Sequence, residues 1–426
     1  MSALRPALGL AAFVALAWAL SSDRRRMPWR TVLAGLVLQF ALAGLVLRTR
    51  AGIAVFQWVG DLVAVLIGAS LEGARFVFGN LVDNAPDRWG FVFAARALPT
   101  IIVFASLSAV GYHLGLLQRL VAAMAYVMTR FMRVSGAESL SAAGNIFLGQ
   151  TEAPLLVRPF IPGMTRSELN AVMVGGFATI AGSLIAVYSS LLGHVDPREI
   201  SRFAQQLLTA SIISAPAGLV VAKVLLPEAE RPQTAGTVRM QPSRETTNVI
   251  DAAAHGALEG LRLALNVAAM LIAFIAIIRL LDALLGWFGG LPVVRDGLAR
   301  AGVERLELDT LLAALFYPVA WLIGTPGGDC GAMASLLGRA MAANEFIAYK
   351  SLAEMMDVGS LSPRTAQLAV YALCGFANFS SVAIQIAGIG GMAPDRRHDL
   401  ARLGLRAMLG GAIACWMTAC VASLLT

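Results

Sequence analysis

Lysine is almost missing from this chain. Lys223 and Lys350 are the only two among 426 residues, so the net charge of +7 rests on arginine. No basic stripe interleaved with aromatics is present, and the charge therefore does not describe a nucleic-acid surface. Charged residues of both signs make up only 14%, against roughly 25% in a soluble domain, which excludes soluble two-domain architectures. The four cysteines (Cys330, Cys374, Cys415 and Cys420) stand in apolar stretches without C-x-x-C spacing, and read as buried free thiols. The four histidines form no H-E-x-x-H, which argues against a zinc protease. With no G-x-S-x-G and no metal-ligand cluster either, a membrane-embedded hydrolase working through paired carboxylates is a remote alternative.

What the sequence has instead is apolar length. Hydrophobic residues reach 58% and the mean hydropathy is +0.73, in runs that recur from end to end. This predicts an all-α polytopic membrane protein. Helix candidates fall near 3–20, 31–47, 91–112, 169–193, 204–226, 258–287, 365–390 and 404–425, about eight crossings. The stretches 53–80, interrupted by Asp61, Glu72 and Arg75, and 115–131 read as interfacial helices. Arg5 precedes the first apolar run whereas Arg24, Arg25, Arg26 and Arg30 follow it. That asymmetry predicts a retained first helix whose C-terminal end stays inside, rather than a cleaved signal. The arginine-bearing segments 115–135, 227–250 and 394–406 then also fall on the cytoplasmic side, leaving Arg295, Arg300 and Arg305 opposite. Residues 227–250 form the one long polar linker.

Two segments resist this simple scheme. Residues 136–164 carry Pro154, Pro159 and Pro162 among small and polar residues, and residues 311–349 are broken by Pro326 between glycines. Proline and glycine free backbone groups from the helical ladder, and at membrane depth such groups survive only inside protein or beside a water-filled cavity. Both segments therefore predict re-entrant hairpins. Each is followed by an arginine and then by an apolar helix with a G-F-A step. Gly176-Phe177-Ala178 follows Arg166, and Gly375-Phe376-Ala377 follows Arg364. Upstream of the G-F-A step, each unit also carries a glutamate, Glu152 in the first and Glu345 in the second. The helix count between the units implies opposite insertion, and paired interrupted segments in two inverted halves point to a secondary transporter's substrate site.

Intramembrane carboxylates are functional by default. Arg158, six residues from Glu152, is poorly placed to pair with it, so both glutamates read as acceptors for a polar solute. Proton relay by either one stays open. Gln150 and Thr151 add an amide and a hydroxyl beside Glu152, while Asn378, Ser380 and Ser381 make a second polar cluster near Phe376. Ser380 reads as back-bonding to its own helix.

The stretches "GFVFAARALPTIIVFASLSAVGYHLGLLQ", "SGAESLSAAGNIFLGQTEAPLLVRPF", "NEFIAY" and "YALCGFANFSSVAIQIAGIGGMAPDRR" resemble the concentrative nucleoside transporter family of bacterial type, from about residue 85 to the end. The resemblance implies a homotrimer in the bacterial inner membrane that takes up nucleosides by alternating access, with no enzymatic activity and no cofactor. It implies that Gly149, Gln150, Thr151 and Glu152 contact the nucleobase with Leu184 closing over it. Glu345, Asn378 and Ser381 would hold the ribose, with Phe376 nearby. Sodium, the favoured coupling ion, would take Asn145, the Leu148 carbonyl, the Thr179 hydroxyl and the Ile180 carbonyl. A proton-coupled symporter of nucleosides or a related solute in the same fold is the alternative. The implied organisation is scaffold-type helices over 1–135, a first transport unit over 136–195, connecting helices over 196–308, a second transport unit over 309–392 and a last helix over 393–426. The second hairpin departs from the family pattern: its tip reads "TPGGDC", with Gly327 in place of an aromatic and Asp329 in place of a glutamate. Ala340 stands where a lysine is usual, with Arg339 one residue earlier. These changes are expected to remove bulk and charge beside the ribose site.

Overall fold

The computed structural model describes residues 4–83, 92–194, 196–236, 246–300 and 305–426, with backbone only at 299 and 300. Those residues fold into α1 (Leu4–Ala19), α2 (Trp29–Arg48), α3 (Arg50–Phe78), α4 (Phe93–His113), α5 (Leu116–Met132), α6 (Gly136–Gly144), α7 (Arg166–Ala178), α8 (Gly182–Gly193) and α9 (Pro197–Leu225). The second half holds α10 (Val249–Gly289), α11 (Pro292–Arg300), α12 (Leu308–Ile323), α13 (Cys330–Ala342), α14 (Glu345–Asp357), α15 (Pro363–Ala372), α16 (Phe379–Met392) and α17 (Arg397–Leu425). No strand occurs among the described residues, as lipid demands of a chain that must satisfy its own backbone. Among the described residues, seven helical stretches are long and apolar enough to cross a membrane. The molecule is an all-helical, multi-pass membrane protein.

The stretches near 3–20, 31–47 and 91–112 appear as α1, α2 and α4 within a few residues. Two expected helices are each split in the middle. The run 169–193 becomes α7 and α8, parted where Thr179 turns extended at φ −133°, ψ 165°. The run 365–390 becomes α15 and α16, parted over 373–378. α10 starts nine residues before its expected span, where Asn248 caps it by accepting from the Asp251 N–H at 2.9 Å. At 41 residues it is about 60 Å long. α3 is continuous, and by length and composition it too could cross. Its Arg75 is paired with Glu72 at 2.6 Å and Asp83 at 2.8 Å.

Burial divides the helices into two sets. In the apolar windows of Arg166–Gly193 and Pro197–Leu225, 94% of residues are buried, against 11% in Val249–Gly289. α7, α8, α9 and α17 form the centre, and α10 offers its apolar side chains outward, Ile272 and Leu280 among them. A bilayer accepts such a surface, which water would not. Gly375 shows how tightly the centre closes. A Cβ there would lie 2.5 Å from the Phe177 carbonyl oxygen and 2.6 Å from Cys415 Sγ, so the break after α15 rests directly on the end of α7. The two G-F-A steps thus meet in space.

The first hairpin consists of α6, a turn, and a 3-10 stretch Ala153–Gly163 in which Pro159 and Pro162 prevent an α-helix. Its base is clasped by charge. Ser135 and Glu138 form a capping box on α6, and Lys223 of α9 pairs with Glu138 and with Glu228, the latter at 3.0 Å. Lys223 also donates to Ser167 Oγ at 2.9 Å. Part of the expected linker takes part in this base. Besides Glu228, Thr234 accepts from the Gly136 N–H at 2.9 Å through its carbonyl. Residues 237–245 of the 227–250 segment lie outside the described residues.

The second broken segment differs from the expected single hairpin at Pro326, because it is broken twice. α12 turns into α13 at Gly324–Asp329, and α13 turns into α14 at Ala343–Asn344, where Asn344 caps α14 through the Ile347 N–H at 2.9 Å. Only the second turn carries Glu345. The 13 residues of α13 separate the two turns by about 20 Å. Gly327 and Asp329 therefore sit at the base of this hairpin and not beside Glu345. There Asp329 accepts from the Ser362 hydroxyl at 2.6 Å and from the Ser362 N–H at 3.2 Å, bracing the start of α15. Arg339 is likewise committed elsewhere, with its guanidinium on both carboxylate oxygens of Asp309 at 2.8 and 2.9 Å.

Candidate functional site

The site grows from three helix interruptions: the hairpin turn 145–152, the turn at Ala343–Asn344, and the break over 373–378. At each the chain places a polar residue where the helix cannot use it. Glu345 is the first residue of α14, a position where the helix dipole favours an anion. It is 7% exposed, and both of its oxygens are engaged. Tyr188 on α8 donates to Oε1 at 2.8 Å and Asn378 Nδ2 donates to Oε2 at 3.0 Å.

Asn378 can reach across because it is an N-cap. Its Oδ1 accepts from the Ser381 N–H at 2.8 Å at the start of α16, leaving the amide N–H₂ free to donate. Ser380 does not bond back to its own helix as expected. It donates to Asn378 Oδ1 at 2.7 Å, because at the first turn of α16 the cap lies nearer than a carbonyl four residues back. Ser381 Oγ accepts from Gln150 Nε2 at 3.3 Å, and Gln150 Oε1 accepts from Gln385 Nε2 at 3.1 Å. Gln385 also donates to the Met173 carbonyl at 3.2 Å. One chain of hydrogen bonds therefore runs Tyr188–Glu345–Asn378–Ser381–Gln150–Gln385 and joins the two hairpins. Gly176 makes room for it, since a Cβ there would lie 2.7 Å from Gln385 Nε2 and 3.0 Å from Gln150 Cβ.

Glu152 stands apart from this chain. It is exposed, and its carboxylate folds back over Gly149, where a Cβ on that residue would collide with it. Arg158 is exposed and is not its partner. Thr151 lies against α16, its Cγ2 3.0 Å from where a Gly388 Cβ would be. Leu184 is buried on α8 one turn before Tyr188, hence on the same helical face. Phe376 is buried within the α15–α16 break, its carbonyl accepting from the Asn378 N–H at 2.9 Å.

The candidate cation ligands also converge. The break between α7 and α8 touches the first hairpin's turn through the Gly182 N–H and the Phe147 carbonyl at 3.1 Å. Asn145 is 1% exposed and donates to the Ser141 carbonyl at 3.0 Å, while its Oδ1 is a buried acceptor without a hydrogen-bond partner among the described residues. A cation suits such an orphaned oxygen. Thr179, 1% exposed, donates its proton to the Gly175 carbonyl at 3.0 Å, so its lone pairs point elsewhere. Leu148 and Ile180 flank these two residues in the turn and the break, and a hard-oxygen set of this kind fits an alkali cation.

Tyr188 and Gln385 were not singled out from the sequence. A tyrosine in "IAVYSSLLG" and a glutamine in "SVAIQIAG" carry no local signal beyond being polar in an apolar run.

Three family models match the chain: "Na+ dependent nucleoside transporter N-terminus" over residues 8–81, "Nucleoside recognition" over 94–195, and "Na+ dependent nucleoside transporter C-terminus" over 206–423. The chain is 41% identical to an uncharacterized transporter of Haemophilus influenzae, over 100% of its own length and 98% of that protein. It is 40% identical to the uncharacterized transporter YutK of Bacillus subtilis, over the full length of both. Identity to sodium/nucleoside cotransporter 1 of Mus musculus is 37%, over 98% of this chain and 63% of that one. Among solved structures, CNTnw in an inward-facing substrate-bound state superposes with a TM-score of 0.88 at 39% identity, over 100% of this chain and 98% of that one. A CNTnw variant in an outward-facing state gives 0.90, also at 39% identity, over 100% and 99%.

Proposed function

Since the chain belongs to the concentrative, Na+-dependent nucleoside transporter family, and is thus a carrier and not an enzyme, we propose that it imports nucleosides across a bacterial inner membrane using a cation gradient, with sodium favoured. The observation that carries this reading is the hydrogen-bonded chain from Glu345 to Gln385, which links both hairpins around polar groups of the kind a nucleoside presents. Gly149, Gln150, Thr151 and Glu152 take the nucleobase, with Leu184 over it. Glu345, Asn378 and Ser381 take the ribose hydroxyls beside Phe376. A carboxylate has about four lone-pair sites, so Glu345 keeps acceptor capacity for ribose after serving Tyr188 and Asn378. Asn145, Leu148, Thr179 and Ile180 take the sodium ion, a role that the orphaned Asn145 Oδ1 supports.

In this mechanism the units 136–195 and 309–392 move together as a transport domain against the scaffold-type helices of 1–135. Residues 196–308 connect them and 393–426 close the fold. Substrate and ion satisfy the polar groups of both hairpins, which lets the unit cross the bilayer. A membrane potential of about 100 mV contributes about 2.3 kcal/mol per charge, and a tenfold ion gradient about 1.4 more, enough together for roughly several hundred-fold accumulation with one cation. A homotrimer, the assembly the family reading brings, would cover part of α10's apolar flank and is checked by cross-linking in membranes.

The deciding experiment is uptake of radiolabelled uridine and adenosine into proteoliposomes with and without an inward sodium gradient. Uptake driven by sodium supports the whole reading. Uptake that ignores sodium and follows an imposed pH gradient moves coupling to protons. Failure to accumulate either nucleoside under any gradient overturns it.

A further inference from the structure

We infer that Tyr188 is a positioning residue of the ribose subsite, fixing the Glu345 carboxylate so that its remaining lone pairs meet the two ribose hydroxyls; this rests on the assignment of Glu345 to ribose. Glu345 stands on the hairpin of the second unit, whereas Tyr188 stands on α8 of the first. Their 2.8 Å bond crosses between the units within a fully buried environment, with Tyr188 at 0% exposure.

The tyrosine is itself held rigidly. Its ring stacks on Tyr349, one helical turn beyond Glu345, with centroids 4.4 Å apart and planes at 23°. Tyr349 is pinned by donating to the Val370 carbonyl at 3.0 Å. Phe346 closes the other side with its centroid 6.1 Å from the Tyr188 ring, and Phe93 meets Phe346 edge-on at 4.8 Å. A phenol so packed has no rotamer freedom to spare, and its hydroxyl can only point at the carboxylate. With Asn378 on the second oxygen, the Glu345 carboxylate is clamped from both units. Recognition of a hydroxyl by a fixed acceptor discriminates strongly against analogues that lack it, because the acceptor is then left unpaired. A loosely held carboxylate could turn away and discriminate less. Tyr188 thus sets how strictly the protein requires an intact ribose without touching the substrate.

The test compares uridine with 2′-deoxyuridine and 3′-deoxyuridine as competitors of labelled uridine uptake, in wild type, Tyr188→Phe and Tyr349→Phe. Tyr188→Phe keeps the stacked ring and removes the donor. The expected result is a fall of about tenfold in the ribo-to-deoxy preference, the equivalent of one bond to a charged group, through a raised KM for uridine with little change in maximal rate. Tyr349→Phe should leave the preference where it was, because its hydroxyl donates to the Val370 carbonyl and not to Glu345. An unchanged preference in a well-inserted Tyr188→Phe overturns the inference. If that variant does not reach the membrane, 3-fluorotyrosine at position 188 keeps the shape while altering the strength of the donor: a shift of preference above about twofold supports the inference, and none overturns it. The site assignment fails separately, through a wild type that shows no preference for ribose at all.

Discussion

The two hairpins solve one problem in opposite ways. The second buries its carboxylate, caps it from two helices and braces its own base with a half-buried acid, Asp329, on the hydroxyl and N–H of Ser362. The first leaves Glu152 exposed over Gly149 and buries the charge at its base instead, where Lys223 meets Glu138 and Glu228. A clamped acceptor suits a constant feature of the cargo, such as a sugar. An open one tolerates bases of different shape. Under the proposed assignment of Glu345 to the ribose and Glu152 to the base, rigidity is placed where the substrate does not vary.

Substitutions can break that contrast, starting with the strongest. Glu345→Gln should abolish uptake, by more than about a hundredfold, while the protein still inserts; the amide offers one acceptor oxygen to the Tyr188 and Asn378 donors and turns its own N–H₂ on one of them. Retained activity in that variant would take the ribose away from this hairpin. Lys223→Met should lower the stability of the purified protein by about 3–5 kcal/mol, as expected for leaving carboxylates buried without their cation, seen as a large drop in unfolding temperature in detergent. Glu152→Gln should be milder than Glu345→Gln, raising KM by about tenfold or less, with a dependence on which base is offered. If Glu152→Gln proved as damaging as Glu345→Gln, the open and clamped carboxylates would not be distinct in kind. Asp329→Asn should have the smallest effect, about 1 kcal/mol of stability from a weakened brace at a helix start, and no change in substrate preference. A change of preference there would place the base of the second hairpin nearer the substrate than its helix allows.

The last of these expectations reverses the sequence-based one. The tip "TPGGDC" is expected to alter the ribose site because it departs there from the pattern of the family. A 13-residue helix intervenes, and a break marked by proline says that a helix ends without saying which end of the next one meets the ligand. Arg339, one residue before the Ala340 that stands in a lysine's usual place, turns to Asp309. Helical phase decides that, and one residue is 100° of rotation.

What the sequence determined unaided was whatever depends on local composition: apolar runs long enough to span, proline and glycine where helices break, and glutamates that stand in apolar surroundings. Those are properties of a few consecutive residues in lipid, and the polar residues they single out, Glu345, Asn378, Ser381 and Gln150, lie in one hydrogen-bonded chain. Tertiary structure alone decided which polar groups share one bond network. Tyr188 and Gln385 entered through contacts 157 and 235 residues apart in sequence. Only packing can specify such partners, because a buried hydroxyl or amide is satisfied by whatever lies within about 3 Å of it, whichever part of the chain supplies it.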